Sequence, residues 1–435
     1  MKKVLIVSPH FPPINAPDMQ RVRLALPFLR AHGWEPTVLA VLPESVEGGV
    51  RDPLLEQTYP ADIRVVRVRG ISPRLTRWAG VGSLTWRCGG ALRRAGDALL
   101  ARERFDLVFF STTQWGVLAL GPRWRARFDV PYVLDYQDPW LNPYYARTGA
   151  RPPGGRLKFA VSQWAAKRIE PAALRHAAAV IAVSGSYGDL LAANYPWFDP
   201  RRVELLPFGA SAKDFEVAAN HRPAQPLIDF NDGYRHFVYT GRCGPDMTLS
   251  LTVLFKAFKL YLASHPAEAA RIRFNFIGTD YAPPPMGRDW ALPIARAGGV
   301  EAYVTEHRHR VAYFDALHYL VRADALLAVG SNDATYAASK IFPYILAHRP
   351  MLLIYHEKSL VLQFAAQAQV GERFAFSQES NIFRLAEDVH QRWFVAEAWR
   401  HYAGFNEAAF APFSADVLTA QLAAVFDRAT VKPSP

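Results

Sequence analysis

The chain has 435 residues, of which 50% are hydrophobic, 13% aromatic and 20% charged. At roughly 150 residues per domain this length predicts two or three domains, and the apolar content excludes a largely disordered chain. Lys and Arg number 50 against 39 Asp and Glu, and the resulting net charge of +11 favours an anionic partner. The two cysteines, Cys88 and Cys243, are too few for a disulfide framework or a cysteine zinc site, which indicates a reducing compartment.

The amino terminus lacks the pattern of a secretory signal. Its apolar run at residues 4–7 ends at Ser8 and Pro9, whereas a signal needs roughly 7–15 apolar residues. No stretch of the sequence reaches the roughly 18 apolar residues of a membrane-spanning helix. We therefore expect a cytoplasmic protein. If it contacts a membrane, we expect it to bind peripherally to the inner face of the plasma membrane.

The first half of the chain alternates short apolar runs with helical patterns. Continuous apolar runs bounded by turn residues are typical of parallel strands that are buried on both faces. A helix over 19–32 follows the first run and ends at Gly33, which makes a strand–helix–strand unit with the second run. The predicted strands of this half are 4–7, 35–42, 107–111, 131–136, 179–184 and 203–209.

The second half repeats the pattern after residues 210–234, which have no sustained period and are predicted to be a linker. Its predicted strands are 236–240, 272–278, 325–330 and 351–355, and its predicted helices are 250–264, 339–347, 382–399 and 414–428. Two such arrays predict an α/β protein with two doubly wound, Rossmann-like domains. The predicted boundaries are 1–209 for the first domain, 210–234 for the linker and 235–390 for the second domain, with carboxy-terminal helices over 391–435.

Several segments resemble one large enzyme family in the same order along the chain. They are 4–13 (VLIVSPHFPP), 132–140 (YVLDYQDPW), 178–184 (AAVIAVS), 206–209 (LPFG), 239–242 (YTGR) and 338–350 (ASKIFPYILAHRP). Together they resemble the retaining, family 4-like glycosyltransferases of the GT-B fold. The resemblance implies an acceptor-side first domain and a donor-binding second domain that face a cleft, with the last helices packing back across it to the first domain.

The resemblance also implies an activity. It predicts transfer of a sugar from a nucleotide diphosphate sugar to a glycan or lipid-linked acceptor, in cell-envelope polysaccharide or glycolipid synthesis, with retention of configuration and with no metal or other cofactor. Two alternatives stay open: a nucleotide-sugar epimerase-like enzyme on the same fold, and a degenerate, non-catalytic relative. The second arises because residues 245–248 lack the usual lysine and Pro343 replaces the usual glutamate. Nucleic-acid binding is not expected, because no motif for it is present.

The donor site is predicted from two strand-to-helix connections of the second half. Gly241 and Arg242 follow one strand, where backbone amides and a planar guanidinium suit a diphosphate. Ser339 and Lys340 open a later helix, another place that suits an anion. Asn332, in the loop before that helix, is predicted to contact the donor where the usual glutamate is missing, with Asp333 beside it as the alternative.

The acceptor side is predicted from residues after two strands of the first half. Asp138 is predicted as catalytic, because a carboxyl group there could position or deprotonate an acceptor hydroxyl. His10 is predicted as catalytic because the resemblance implies that the loop over residues 10–21 contacts the acceptor or the reacting centre. Asn15, Arg21 and Asp135 are predicted to contact the acceptor or an anion. Each has an ordinary structural alternative, such as a turn carboxylate, a surface arginine or a buried histidine.

Two basic stretches invite further interpretation. Segment 67–127 carries most of the positive excess and four tryptophans, which predicts contact with an anionic membrane surface. Its alternative is a basic helical surface over buried tryptophans. Residues 307–310 (HRHR) suggest a nucleobase pocket rather than a metal site, because no cysteine or carboxylate spacing supports zinc.

Overall fold

The structure is a computed structural model that describes residues 1–76, 83–141, 155–282, 285–333, 339–377 and 379–431. It divides into two compact units, Met1–Phe208 with Ala415–Pro435, and Gly209–Ser414. Each unit is an α/β body with its own sheet and its own core, so the predicted fold class is confirmed.

The observed division differs from the predicted boundaries in two places. Residues 210–234, predicted as a linker, belong to the second unit and include the helix Ala212–Ala219. Ser211 caps this helix by accepting a hydrogen bond from the Lys213 amide, a local signal that the irregular composition around it obscured. The chain returns to the first unit at Ala415, whereas the prediction placed the start of the returning helices at residue 391.

The first unit is built on a parallel seven-stranded sheet. Its strands are β1 (Lys2–Val7), β3 (Trp34–Val41), β5 (Arg64–Val68), β6 (Leu107–Ser111), β7 (Tyr132–Tyr136), β8 (Ala179–Ala182) and β9 (Val203–Leu205). They lie side by side in the order β5-β3-β1-β6-β7-β8-β9. Two short strands, β2 (Ile14–Asn15) and β4 (Val50–Arg51), form a separate antiparallel pair.

Helices cover both faces of this sheet. They are α1 (Gln20–Leu29), α2 (Pro73–Thr76), α3 (Leu84–Arg102), α4 (Leu120–Phe128), α5 (Arg156–His176), α6 (Ser186–Asn194) and, from the carboxy terminus, α16 (Ala415–Thr430). On one face α16 packs against α1, and its Phe426 contacts Trp34 and Phe109 with ring centroids 5.3 and 5.0 Å apart. On the other face α3, α4 and α5 share one apolar core.

The second unit repeats the design with a six-stranded parallel sheet. Its strands are β10 (Arg235–Thr240), β11 (Ile272–Ile277), β12 (Val304–His307), β13 (Ala325–Val329), β14 (Met351–His356) and β15 (Glu372–Phe376), in the order β12-β11-β10-β13-β14-β15. Its helices are α7 (Ala212–Ala219), α8 (Thr248–Ser264), α9 (Pro266–Ala269), α10 (Ala291–Gly298), α11 (Tyr313–Arg322), α12 (Ile341–Leu346), α13 (Leu360–Gln367), α14 (Ile382–Val389) and α15 (Glu407–Phe410).

One helical run of the second unit, Pro245–Ser264, is long and apolar enough to cross a membrane, with a mean hydropathy of 1.2 over its best window. Half of that window is buried. Leu251, Phe255 and Phe258 point into the core beneath the sheet. Burial against the sheet explains the apolar composition of this run.

The Arg/Trp-rich segment 67–127 does not form one continuous exposed face. Trp124 is fully buried, and Trp115 stacks on Trp140 with ring centroids 6.1 Å apart. Arg87 is buried and donates to backbone carbonyl oxygens. Of the segment's other tryptophans, Trp86 is exposed, and Trp78, with Arg77, lies outside the described residues. Much of the segment therefore serves the core.

The packing of α3 on α4 gives a testable pair of substitutions. A Cβ at Gly96 would overlap the ring of Trp124, which is held in place because its indole N–H donates to Asp97 at 2.8 Å. We expect Gly96→Ala to lower the free energy of unfolding by about 1–3 kcal/mol, as overpacking does. Gly90→Ala on the exposed side of α3 should instead raise it by up to about 1 kcal/mol, since its Cβ would make only an ordinary contact with the Arg94 side chain, 3.8 Å away. Urea unfolding checks both, and equal effects would contradict the packing argument.

Candidate functional site

Each sheet has a topological switch point, where the chain leaves neighbouring strands in opposite directions. In the first unit the switch lies between β1 and β6, and in the second unit between β10 and β13. Ligands of open α/β sheets bind in the crevice outside the carboxyl ends of the strands at such points. The polar residues predicted from sequence follow these strands, so two candidate regions, one in each unit, are defined.

In the first unit, His10 and Asp18 form a hydrogen-bonded pair in the loop after β1. The Nδ1 atom of His10 lies 2.8 Å from an Asp18 carboxylate oxygen, and since a carboxylate only accepts, Nδ1 carries the proton. A neutral ring then has its lone pair at Nε2, with which no other described residue makes a hydrogen bond. His10 is thus oriented for proton exchange with a bound hydroxyl.

Asp18 is buried and its second carboxylate oxygen accepts three further hydrogen bonds. The donors are the Thr112 hydroxyl at 3.0 Å and the amide and hydroxyl of Thr113, both at 3.1 Å. Burial by itself would raise the pKa of Asp18, but the hydrogen bonds from His10 and the two threonines lower it overall. Asp18 therefore stays ionised and fixes His10. The sequence analysis missed Asp18, whose two threonine partners lie 94 and 95 residues away in the chain.

Asp138 follows β7 and has the opposite electrostatic character. Asp138 as a whole residue is exposed. Protein atoms around its carboxyl group nevertheless exclude much of the water there, and the negative charge of Asp18 disfavours a second negative charge nearby. These two effects raise the pKa of Asp138 to about 6. A carboxyl group with such a pKa exchanges protons near neutral pH, as the predicted catalytic role requires.

Arg21 and Asp135 do not have the exposed positions that a ligand contact would need. The Arg21 Nε atom donates to Asp135 at 2.8 Å, and its two terminal nitrogens donate to the carbonyl oxygens of Pro207 and Leu206 at 3.2 and 2.6 Å. Both residues are buried. The pair ties the start of α1 to the end of β7 and to the chain after β9, which is a structural role in place of the predicted anion contact.

Two further residues complete this region. Gln137, missed by the sequence analysis, is buried and donates to Asp135 at 2.9 Å and to the Asp18 carbonyl oxygen at 3.0 Å. It links the buried salt bridge to the His10–Asp18 pair. Asn15, predicted as an acceptor contact, lies in the β2–β4 pair opposite Val50, and no described contact connects it to this cluster.

In the second unit, Gly241 and Lys340 meet at the carboxyl end of β10. Gly241 has a φ of +126°, a conformation that favours glycine. The Lys340 Nζ atom lies 3.3 Å from the position that a Cβ of Gly241 would occupy. It donates to the Tyr239 hydroxyl and sits 3.9 Å from the centroid of that ring. Tyr344, on α12, fixes this arrangement by accepting from the Thr240 amide at 2.7 Å.

The surroundings of Lys340 disfavour the charged form of its amine. Burial of the amine, with Arg310 and Arg242 nearby, lowers its pKa to about 7, although Asp246 opposes the shift. A bound anion would relieve both the desolvation and the repulsion. The cluster of Lys340, Arg242 and Arg310 thus holds three cations beside a single carboxylate, Asp246, an excess of positive charge that suits a phosphate.

Arg242 and Asn332 are organised around Asp246. Two nitrogens of Arg242 donate to the Asp246 carboxylate at 3.0 and 2.7 Å, and the Asn332 amide donates to the Asp246 carbonyl oxygen at 2.8 Å. Although burial raises the pKa of Asp246, its hydrogen bonds to Arg242 lower it overall. An anion would have to share Arg242 with this carboxylate, which makes Lys340 the principal cation of the site.

The helix that begins near Ser339 and Lys340 is a weaker anion-binding site than the sequence predicted. α12 begins at Ile341, after Lys340, and has six residues, so it supplies little dipole. Ser339 is exposed just before it. Arg310 belongs to the 307–310 run that suggested a nucleobase pocket; its side chain packs over Gly278, and its guanidinium lies 5.0 Å from the Tyr281 ring centroid. In the part of the chain that the structure describes, no cluster of three potential metal ligands occurs.

Comparisons with known proteins agree with this architecture. Residues 20–209 match the model of the glycosyl transferase 4-like domain. The Anabaena protein HepE, solved in complex with UDP and glucose, is 15% identical, with 98% of this chain and 100% of that chain covered and a TM-score of 0.61. A glycosyltransferase from Rickettsia africae is 12% identical, with 98% of each chain covered and a TM-score of 0.59.

A UDP-forming alpha,alpha-trehalose-phosphate synthase from Burkholderia xenovorans is 14% identical, with 99% of this chain and 100% of that chain covered and a TM-score of 0.58. A search of curated protein sequences finds no match. The two sheets and these neighbours define a protein of the GT-B fold. The match over most of the first unit shows that the chain carries a glycosyl transferase 4-like domain there, in agreement with the resemblance seen in the sequence.

Proposed function

We propose that the protein transfers a hexose from a nucleotide diphosphate sugar to a glycan or lipid-linked acceptor, with retention of configuration and without a metal ion. The observation that carries the donor assignment is the Lys340 amine beside Gly241, which forms no salt bridge with any carboxylate of the described residues, at the switch point of the second sheet. Cations at this point stabilise a departing diphosphate, where negative charge develops. HepE, which shares the fold, was solved with UDP and glucose, and this supports the same class of donor.

Each proposed donor residue has a role that follows from its functional group. Lys340 and Arg310 neutralise the diphosphate, and Arg242 joins them at the edge of the site, where Asp246 holds it. Gly241 lets the ligand approach the backbone closely. Ser339 and Asn332 supply hydroxyl and amide groups for the rest of the nucleotide or the sugar. Retention of configuration rests on the family resemblance and is tested by the anomeric configuration of the product.

The acceptor would bind at the switch point of the first sheet. His10, oriented by Asp18, accepts a hydrogen bond from the acceptor hydroxyl through Nε2. Asp138, with its raised pKa, takes up or returns a proton at that centre. Placement in cell-envelope polysaccharide or glycolipid synthesis, and a position on the inner face of the plasma membrane, belong to the same proposal. They rest on the resemblance and on the positive charge of the chain.

The donor assignment is tested by thermal shift with UDP, GDP, ADP, dTDP and CMP and their sugars, with and without EDTA. A ligand that binds only the folded protein raises its apparent stability. We expect one nucleotide diphosphate to give a shift that EDTA does not remove. A shift that EDTA abolishes would overturn metal independence, and no shift with any of them would overturn the donor site. Release of free nucleotide diphosphate only in the presence of an acceptor separates a transferase from an epimerase.

The acceptor-side roles predict a specific mutational result. His10→Gln should lower kcat by about 10²–10⁴-fold, the usual contribution of a positioned proton-exchange group, and leave UDP affinity unchanged. Asp18→Asn should lower kcat as well, because it loses the charge that fixes the ring. His32→Gln, at an exposed histidine of the same unit, is the matched control. Steady-state kinetics with UDP titrations check this, and a fully active His10→Gln protein would remove His10 from the mechanism.

A further inference from the structure

The helix α5 of the first unit exposes large apolar side chains on one face. Leu157, Val161 and Trp164 are 79%, 48% and 58% exposed. Their spacing of four and then three residues places them along one side of the helix. The opposite side is buried in the core through Ala166, Ala173 and Leu174. An isolated exposed leucine is ordinary, but a contiguous apolar stripe on a helix marks a contact surface.

Two cations, at Arg168 and Arg175, extend this stripe along the same side of the helix, and a third, at Lys167, lies beside it. Lys167, Arg168 and Arg175 are exposed. The guanidinium of Arg168 lies 5.2 Å from the ring centroid of Trp164, and that of Arg175 lies 4.7 Å from the ring centroid of Trp197, which is itself 40% exposed. Tryptophan and arginine side chains combine an apolar body with a polar end, which suits the headgroup layer of a bilayer.

The surface of α5 also lacks negative charge. The single acidic residue in the helix sequence, Glu170, is 1% exposed and accepts hydrogen bonds from Tyr136 at 3.0 Å and Tyr195 at 2.7 Å. The neighbouring helix α4, which packs against α5, adds the exposed Arg125 and has no acidic residue between its first and last positions. The charge on this side therefore complements an anionic partner.

We propose that Leu157, Val161, Trp164, Lys167, Arg168 and Arg175, here called the α5 face, dock the protein on a bilayer that contains anionic phospholipids. The apolar residues would enter the boundary between headgroups and acyl chains, and the cations would pair with lipid phosphates. Each cation near the surface adds about fivefold to the affinity. This inference replaces segment 67–127 as the membrane contact, and it does not depend on the donor site.

The test compares binding to phosphatidylcholine vesicles with and without phosphatidylglycerol, measured by flotation. We expect the full chain to bind the anionic vesicles, to release from them as NaCl is raised, and to ignore pure phosphatidylcholine. The variant L157E/W164E should bind at least tenfold more weakly. The matched control L360E/F383E places the same charges at two exposed apolar residues of the second unit, 50% and 69% exposed, and should bind like the wild type.

A second variant guards against loss of folding, which circular dichroism would reveal. Lys167→Gln with Arg168→Gln keeps the apolar stripe and should bind several-fold more weakly with a shallower salt dependence. Wild-type protein that ignores anionic vesicles, or L157E/W164E that binds them normally, would overturn the proposal. So would a self-association that L157E/W164E abolishes in sedimentation velocity, because a second copy would then cover the face. UDP titration of each variant separates these outcomes from a failure of the donor site.

Discussion

Arg21→Met is expected to lower the free energy of unfolding by about 3–5 kcal/mol, the usual cost of leaving one partner of a buried ion pair uncompensated. Without the guanidinium, Asp135 would keep hydrogen bonds from Ser111 and Gln137 but would lose its counter-charge. Its other oxygen, Oδ1, is buried and accepts no hydrogen bond from any described residue. The carbonyl oxygens of Leu206 and Pro207 would lose their donors as well.

Urea unfolding measures this effect, and Arg30→Met provides the comparison. Arg30 also pairs with two carboxylates, Glu35 and Asp62, but on the surface of the same unit. Its removal should cost at most about 1 kcal/mol, because water screens and replaces exposed ion pairs. The double variant R21M/D135L should recover much of the loss, since no buried charge is then left over. Equal losses for Arg21→Met and Arg30→Met would contradict the structural role of the buried pair.

Lys340→Met is expected to weaken UDP binding by about 10–100-fold, the range of a lost charged hydrogen bond of about 1.5–3 kcal/mol. The methionine keeps the apolar contact with the Tyr239 ring but removes the cation beside Gly241. Lys358→Met, at an exposed lysine of the same unit, should leave the affinity unchanged. Calorimetric titration with UDP measures both. An unchanged affinity in Lys340→Met would remove the proposed donor site.

The pKa of Lys340, lowered by burial to about 7, adds a dependence on pH. The charged amine binds the diphosphate and predominates below that pKa, so affinity should fall as pH rises through about 7. Between about pH 6 and pH 8 the charged fraction of the amine drops about tenfold, and UDP affinity should drop to match. Lys340→Arg keeps a cation that does not titrate, so it isolates the ionisation of UDP itself. A parallel pH profile for wild type and Lys340→Arg would contradict titration of Lys340.

The central strands of both sheets could be predicted from sequence because a buried parallel strand appears as a short, continuous apolar run. β6 was predicted with its observed bounds, and β1, β10 and β13 to within two residues at either end. Both faces of these strands are covered, so nearly every side chain must be apolar. The helix before β3 was also predicted, since Gly33, with a φ of +81°, ends its last turn.

Three of the four edge strands were missed for the complementary reason, whereas the fourth, β9, was predicted. β5, β12 and β15 lie at sheet edges and admit charged residues, such as Arg64 and Arg373, which are exposed, and Glu306, which is half-buried. Such sequences resemble loops, because only part of each strand is buried. The α5 face was missed in the same way, since exposure cannot be read from composition. Tryptophans of segment 67–127 that suggested a surface, such as Trp124, pack in the core.

By itself the sequence determined the fold class and the loops in which polar chemistry lies, because the pattern of burial and the turn residues are local properties. It identified His10, Asp138, Gly241 and Lys340 by their positions after strands. Which of these charged groups are paired with an opposite charge follows from the three-dimensional packing. Arg21 is neutralised by a residue 114 positions away, whereas Lys340 is crowded by other cations. The state of a charged group depends on its neighbours in space, and those are set by the packing of elements distant in the chain.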